Sequence, residues 1–210
     1  MTYSIQKLFL KNHALHNFHQ SAANEKDFIF EGKHLPIIHQ LNTEFQKQFN
    51  LIIDYDSIQE YYDQDNNSIS KNKAGIDCSF NLLNAKTGNL KKEEFSIDWK
   101  IRFFNTSAVY DDFLAEIVSQ DFGYYSNKIP VPGWAVCNHK LNDAILYIIP
   151  QLNKAALVMR KELKAGFYNH RFPDHNRKIA KNGRYNTISV PISWDRLTKV
   201  CPSTIIFNYE

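Results

Sequence analysis

The chain reads Phe-Ser-Ile-Asp-Trp-Lys-Ile-Arg-Phe at residues 95–103, and apolar and polar side chains alternate throughout this segment. In a β-strand, successive side chains point to opposite faces of the sheet. One face would therefore be apolar and aromatic, whereas the other would carry Asp98, Lys100 and Arg102 in a row. The segment predicts a strand with a buried apolar face. Its polar face is either a solvated surface or a site for a metal ion and a phosphate.

A second alternating segment lies just upstream, at residues 76–82. The turn-rich residues 84–89 separate the two segments, and this arrangement is typical of a β-hairpin. The register depends on the turn, because a longer loop would shift it. A two-residue turn at residues 87–88 predicts two cross-strand pairs: Asp77 with Asp98, and Ser79 with Ser96.

Two facing carboxylates make this hairpin unusual. Like charges directly opposite each other destabilise a sheet, so we expect a cation between Asp77 and Asp98. Lys100 is one candidate, since it follows on the same face. Mg²⁺ is another, because it is often held by one or two carboxylates together with phosphate oxygens.

Asp77, followed on the next strand by Asp98-Trp99-Lys100, resembles the signature of the PD-(D/E)xK, or restriction-endonuclease-like, nucleases. The resemblance covers residues 35–165 and implies an α/β fold with a central mixed β-sheet flanked by helices. It also implies Asp77 and Asp98 as ligands of Mg²⁺ or Mn²⁺, with Lys100 positioning the attacking water. The chain departs from the family pattern in two places: no proline precedes Asp77, and Asp98 stands where glutamate is commoner.

Two further acidic residues are candidate auxiliary metal ligands. Glu44 lies beside the apolar stripe of a predicted helix at residues 35–48, where related nucleases often carry an acidic residue. A surface glutamate is the alternative. Glu116 lies in residues 113–118, a pattern that fits either a helix or a short strand, and the resemblance favours a strand with an inward glutamate. A structural role for Glu116 is equally open.

Length and composition indicate one globular domain over residues 1–210, with a basic C-terminal extension at residues 166–210. The three cysteines are far apart in sequence, which argues against a disulfide framework and a zinc ribbon and fits a reducing cytoplasm. The longest apolar block, residues 144–149, is too short to span a membrane. We therefore expect a soluble, cytoplasmic protein.

Charge is distributed unevenly along the chain, although the net charge is only +3. Residues 1–65 hold 5 Lys/Arg against 9 Asp/Glu, whereas residues 154–184 hold 9 Lys/Arg against 2 Asp/Glu. The second segment is also rich in aromatic residues, which predicts a polyanion-binding surface; a solvated helix face followed by a basic loop is the alternative. The candidate nucleic-acid contacts are Arg102, Lys154, Arg160, Lys161, Lys164, Arg171, Arg177, Lys178, Lys181 and Arg184.

Hydrophobic patterning predicts the remaining elements. Besides the hairpin and the helix at residues 35–48, we expect helices at 4–20 and 151–165, the latter ending at Gly166 with its basic residues outward. Residues 130–133 are expected to form a turn. Strands are expected at 134–137, 144–149, 187–192 and 204–207, a helix fragment and a loop at 54–73, and a polar loop at 169–186.

These observations lead to the hypothesis of a Mg²⁺-dependent DNA endonuclease, with DNA binding that weakens strongly as salt rises. Sequence-specific cleavage of both strands often uses a two-fold dimer, so a homodimer is a possible assembly. A nucleic-acid-binding or protein-interaction module of the same fold, without hydrolysis, is the alternative function. A third interpretation makes the acidic N-terminal part a contact surface for a protein partner.

Overall fold

The computed structural model describes residues 27–29, 31–61, 70–71, 73–104, 109–123, 126–172, 176–181 and 184–210. Elements with defined bounds follow one another along these ranges. In chain order they are α1 (Leu35–Phe49), β1 (Leu51–Glu60), β2 (Cys78–Asn84), β3 (Leu90–Ile101), β4 (Phe113–Asp121), β5 (Val131–Pro132), β6 (Ala144–Ile149), a 3₁₀ turn (Pro150–Leu152), β7 (Lys154–Met159), α2 (Arg160–Tyr168), β8 (Lys178–Lys181), β9 (Asn186–Ile192), α3 (Trp194–Val200) and β10 (Ile205–Asn208).

The strands form two sheets. The larger sheet has six strands in the order β1-β2-β3-β6-β7-β10, and the smaller has four in the order β5-β4-β9-β8. Strands β3 and β6 run parallel, whereas every other neighbouring pair is antiparallel. The chain passes from β3 to its parallel neighbour β6 through β4 and β5, so this crossover supplies two strands of the smaller sheet, and β8 and β9 join them from the C-terminal part. The protein has a mixed α/β fold, as the sequence predicts.

Helix α1 covers one face of the six-stranded sheet. It has a proline in its first turn and ends at Asn50, which adopts the left-handed conformation typical of a helix C-terminus. The predicted helix at residues 35–48 is thus confirmed. Its predicted apolar stripe is buried against the sheet, together with Ile97 and Trp99 of β3. The stripe consists of Ile37, Ile38, Leu41 and Phe45.

The opposite face of the same sheet packs against the smaller sheet and the helices α2 and α3. Strand β6 is buried over its whole length because it is covered on both faces, and its bounds are those predicted from its apolar run. Tyr147 on this strand contacts the ring of Phe113 on β4, with ring centroids 4.8 Å apart. The core on this side also includes Ile145, Ile149, Val158, Leu163, Val190 and Leu197.

The β2–β3 hairpin has the predicted pairing next to the predicted site, although its turn differs. Ser79 pairs with Ser96, as predicted. At the other end of the hairpin, Leu83 pairs with Leu90, because the turn is longer than two residues and two register shifts follow it. Glu94, near the first shift, has a left-handed backbone. The two shifts offset the longer turn, so the predicted register is restored at Ser79 and Ser96, near Asp98.

The predicted helix at residues 151–165 is wrong. Residues 150–152 form a 3₁₀ turn, β7 follows, and α2 begins only at Arg160. Strand β7 lies between β6 and β10, and four of its six residues are buried. Gly166 does not end the helix. It lies inside α2, where a Cβ would collide with Phe172 and Val200.

Two other predicted elements also differ. Residues 134–137 are a turn rather than a strand, and residues 131–132, within the predicted turn at 130–133, pair with β4 as β5. Residues 51–60 form the edge strand β1, where a helix fragment was expected to begin at residue 54. An edge strand needs little apolar alternation, which explains why the acidic sequence concealed it. The predicted helix at 4–20 lies outside the described residues, and so do residues 62–69 and 72 of the helix fragment and loop predicted at 54–73.

The C-terminal part contributes to both sheets. Strands β9 and β10 confirm the predicted strands at 187–192 and 204–207, and β10 is an edge strand of the six-stranded sheet. Within residues 166–210, expected as an extension, α3, β9 and β10 therefore pack into the fold. Across the described residues, the helices are all too short or too polar to cross a membrane.

Candidate functional site

Asp98 and Lys100 form a close ion pair on the face of β3 that lies opposite α1. Lys100 Nζ donates to Asp98 Oδ1 at 2.5 Å and to the main-chain oxygen of Trp99 at 2.9 Å. Asp98 is only 2% exposed, whereas the Lys100 side chain is 27% exposed. The pair thus joins a buried carboxylate to an ammonium that still reaches solvent.

Asp77 binds the main chain of β3 at Trp99, next to this pair. It immediately precedes β2, and its main-chain N–H donates to the oxygen of Ile97 at 2.9 Å. Its carboxylate Oδ2 accepts a hydrogen bond from the main-chain N–H of Trp99, also at 2.9 Å. Since Trp99 lies between Asp98 and Lys100 in the sequence, the Asp77 carboxylate is bound to the main chain between the other two predicted catalytic residues.

Glu116 approaches the same pair from β4 in the smaller sheet. Burial raises the pKa of its carboxyl above the ordinary value. A hydrogen bond from the main chain of Trp134 and the positive charge of Lys100 oppose this shift, whereas the charge of Asp98 adds to it. The predicted strand at residues 113–118 is confirmed by β4, and Glu116 lies in the electrostatic field of the candidate site.

Replacing Glu116 by Gln is expected to stabilise the protein at neutral pH, because the fold disfavours the ionised carboxyl. A carboxyl whose folded-state pKa is raised favours folding below its unfolded pKa, and this contribution is lost as pH rises through the folded pKa. The gain from Glu116→Gln should therefore grow as pH rises from about 4 to 7. Urea unfolding across this range measures it, with Glu93→Gln at an exposed position of β3 as control. A gain that stays constant with pH would contradict this electrostatic explanation.

Arg160 is part of the site, although the sequence predicts it at the protein surface. It was predicted to face outward from a helix, but it is only 4% exposed. Its Nη2 lies 3.4 Å from Asp98 Oδ2, and its Nε donates to Asn142 Oδ1 at 2.6 Å. Burial lowers the pKa of this guanidinium, and the charge of Asp98 opposes that effect. Arg160 is thus an internal partner of Asp98 and is not placed to contact a nucleic acid.

Two other predicted nucleic-acid contacts are bound within the protein. Arg102 pairs with Asp112, and its guanidinium lies 4.7 Å from the centre of the Phe104 ring. Lys154 donates to both carboxylate oxygens of Asp111, at 2.7 and 2.6 Å. The bond from Lys154 holds the pKa of Asp111 below its usual range. Arg102, just after β3, and Lys154, at the start of β7, thus both bind the segment before β4.

The remaining predicted contacts lie on or near the surface. Lys164 is half-buried and donates to Asn138 Oδ1 at 2.8 Å. Strand β8, which carries two of the exposed cations, is an edge of the smaller sheet. Charged residues on an edge strand also prevent unwanted pairing, so this arrangement has a structural use of its own. The exposed members are Lys161, Arg171, Arg177, Lys178, Lys181 and Arg184.

Glu44 is not brought into the site. It lies on α1, which packs on the face of the sheet opposite to Asp98. Its carboxylate oxygens accept hydrogen bonds from Gln40 at 3.4 Å and Gln48 at 2.9 Å on the same helix. The structure therefore gives this residue a local role on the helix surface.

The donors on this face suit a hard divalent cation. Among the described residues, no group of three or more His, Cys, Asp or Glu side chains is placed to hold a metal ion. Mg²⁺, however, is usually bound by one or two carboxylates, and its other ligands are water and substrate phosphates. Asp77 and Asp98 are the two carboxylates predicted for such a site, and Asp98 lies against two cations, Lys100 and Arg160.

The chain was compared with protein-family models, curated proteins and solved structures, and none of them matches it.

Proposed function

We propose that this protein is a Mg²⁺-dependent DNA endonuclease of the PD-(D/E)xK type, centred on the polar face of the β2–β3 hairpin. The observation that supports the proposal is the group of hydrogen bonds at Asp98, Trp99 and Lys100 on β3. The buried Asp98 binds Lys100, and Asp77 binds the peptide N–H between them. The topology is compatible with a restriction-endonuclease-like core, because a hairpin bearing the motif lies beside a parallel strand in a mixed sheet.

Each residue has a distinct part in this proposal. Asp77 and Asp98 would hold the metal ion, with Glu116 as the auxiliary carboxylate. The ion supplies Lewis acidity that polarises the scissile phosphate. Lys100, whose ammonium is partly exposed, would orient the attacking water and offset negative charge that develops in the transition state.

DNA would be held by the exposed cations of α2, β8 and the segments beside them. Phosphate contacts release counterions, so binding should weaken steeply as the salt concentration rises. Arg102, Lys154 and Arg160 are left out of this surface, because each is already paired with an aspartate of the protein.

A non-catalytic nucleic-acid-binding module is the second candidate, and one observation favours it. The two oxygens of Asp98 already face two cations, Lys100 at 2.5 Å and Arg160 at 3.4 Å. A carboxylate neutralised in this way can serve the fold alone. Such a module would bind DNA equally well with and without a divalent metal.

Cleavage and binding assays on the wild-type protein separate the two candidates. Supercoiled plasmid and single-stranded DNA are incubated with Mg²⁺, Mn²⁺ or EDTA, and binding in EDTA is measured across a range of salt. We expect cleavage with either metal, no cleavage in EDTA, and binding that falls as salt rises. Salt-sensitive binding in EDTA without cleavage in any metal would favour the binding module. Absence of both would contradict both proposals and favour a protein partner.

A further inference from the structure

The turn that follows β5 lies very close to β4. Gly133 donates its main-chain N–H to the oxygen of Ile117 at 3.0 Å, and Ala135 donates to the main-chain oxygen of Glu116 at 3.1 Å. A Cβ on Gly133 would collide with the main chain at Glu116, so only glycine fits without a shift of the backbone. The turn is therefore attached directly to the strand that carries the auxiliary carboxylate.

Trp134, the next residue, connects this strand to Arg160. Its main chain hydrogen-bonds the Glu116 carboxyl, and its main-chain oxygen accepts a bond from Arg160 Nη1 at 2.7 Å. Its indole also packs edge-on against Phe113, with ring centroids 5.8 Å apart. One peptide segment thus contacts Glu116 on one side and the partner of Asp98 on the other.

Arg160 is itself held in place by groups other than Asp98. Its Nε binds Asn142 Oδ1 at 2.6 Å, and Asn142 in turn donates to the main-chain oxygen of Ala144 at 2.6 Å. The main-chain N–H of Arg160 donates to the oxygen of Asp143 at 3.0 Å. These bonds are shorter than the 3.4 Å contact with Asp98. These neighbours therefore fix the position of the guanidinium, and the Asp98 carboxylate lies against a group whose position does not depend on it.

We propose that Arg160 is a positioning residue of the metal centre. Held by Asn142 and Trp134, it fixes the carboxylate of Asp98 relative to Glu116 and so determines the affinity for the divalent ion. The inference rests on the proposed function, because it requires that Asp98 binds a metal. The positioning role differs from simple compensation of the Asp98 charge, because the planar guanidinium makes three directed contacts that an ammonium cannot reproduce.

The test measures Mn²⁺ binding in the absence of DNA, by electron paramagnetic resonance of the free ion. Arg160→Lys keeps the positive charge but loses the planar guanidinium and its directed contacts. Asn142→Ala keeps Arg160 but removes the side-chain oxygen that binds its Nε. Partners of metal-binding side chains typically contribute about 10–100-fold to affinity. We expect both variants to bind Mn²⁺ more weakly by about that factor. Arg196→Lys is the control, since Arg196 binds the main-chain oxygen of Arg171 at an exposed position on α3.

The outcomes separate this inference from the proposed function. Wild-type affinity in both variants would overturn the positioning role, even if the wild-type protein binds Mn²⁺ and cleaves DNA. Absence of Mn²⁺ binding and cleavage in the wild type would overturn the proposed function itself. Circular dichroism confirms that each variant is folded, and Asn142→Ala keeps the test decisive if Arg160→Lys does not fold. In cleavage assays, both variants should need a higher Mn²⁺ concentration to reach half of their maximal rate. Their rate at saturating Mn²⁺ should fall by a smaller factor than this concentration rises.

Discussion

Replacement of Asp98 by Ala is expected to lower the free energy of unfolding by about 3–5 kcal/mol, as for other buried ion pairs that lose one partner. The cost comes mainly from Arg160, whose side chain is 5% exposed and would lose its carboxylate. Lys100 would add less, since its side chain is 27% exposed and can turn to solvent. Urea unfolding monitored by tryptophan fluorescence measures the change.

A double-mutant cycle separates this electrostatic cost from simple loss of packing. Arg160→Met removes the charge that Asp98→Ala leaves unpaired, so the double variant should lose less stability than the two single changes predict together. Asp56→Ala is the control, because Asp56 is exposed on β1 and surface substitutions usually change stability by about 0.5 kcal/mol or less. Additive costs in the cycle would show that Asp98 and Arg160 do not interact as the structure indicates.

Replacement of Lys100 by Ala is expected to reduce the rate of DNA cleavage on the order of 10²–10³-fold, the usual effect of removing one preorganised donor to a developing charge. The fold should tolerate the change, because Asp98 keeps Arg160 as a partner. A loss of rate with little loss of stability would therefore assign Lys100 to the reaction. Single-turnover cleavage with excess protein measures the rate without a contribution from product release.

Lys91→Ala is the matched control for this variant. Lys91 lies on the same strand at an exposed position near the hairpin turn. Its removal should leave cleavage within a factor of about two, since a solvated lysine contributes little unless it contacts the substrate. Equal effects of the two lysine changes would mean that Lys100 contributes only general positive charge.

The sequence predicted those elements whose burial leaves a clear periodicity. Helix α1 shows its buried face at helical spacing, and β6 is a short apolar run because it is covered on both sides. The pairing of Ser79 with Ser96 was predicted from a two-residue turn at residues 87–88; that turn is wrong, and two register shifts restore the predicted pairing. Alternation still predicts which side chains share a face, because a one-residue slip in register would turn every side chain of the slipped strand to the other face.

Strand β7 was hidden because its residues also fit a helix. Leu152, Ala156, Met159 and Leu163 recur at helical spacing, whereas β7 is a continuous apolar run after its first residue, Lys154. Periodicity alone cannot distinguish a buried strand from a buried helix. The 3₁₀ turn and the left-handed Asn153 separate β6 from β7, and this was the local signal for a hairpin.

The candidate site was predictable where its residues are close in sequence. Asp98 and Lys100 share one strand, and Asp77 immediately precedes the strand paired with it. Arg160 was predicted at the surface because it lay on the outward face of the predicted helix at residues 151–165, and basic residues are usually exposed. Its role depends on the order of strands in the sheet, which no local pattern specifies.

The measurement that tests the central claim most directly is nicking of a supercoiled plasmid by the wild-type protein and by Asp98→Asn, each in Mg²⁺ and in EDTA. Asparagine keeps the shape of the side chain and an oxygen for Arg160, but it removes the negative charge proposed to hold the metal. We expect the wild type to nick the plasmid only in Mg²⁺, and Asp98→Asn to be inactive in both. Nicking by the wild type in EDTA, or undiminished nicking by Asp98→Asn in Mg²⁺, would contradict a metal-dependent centre on this hairpin.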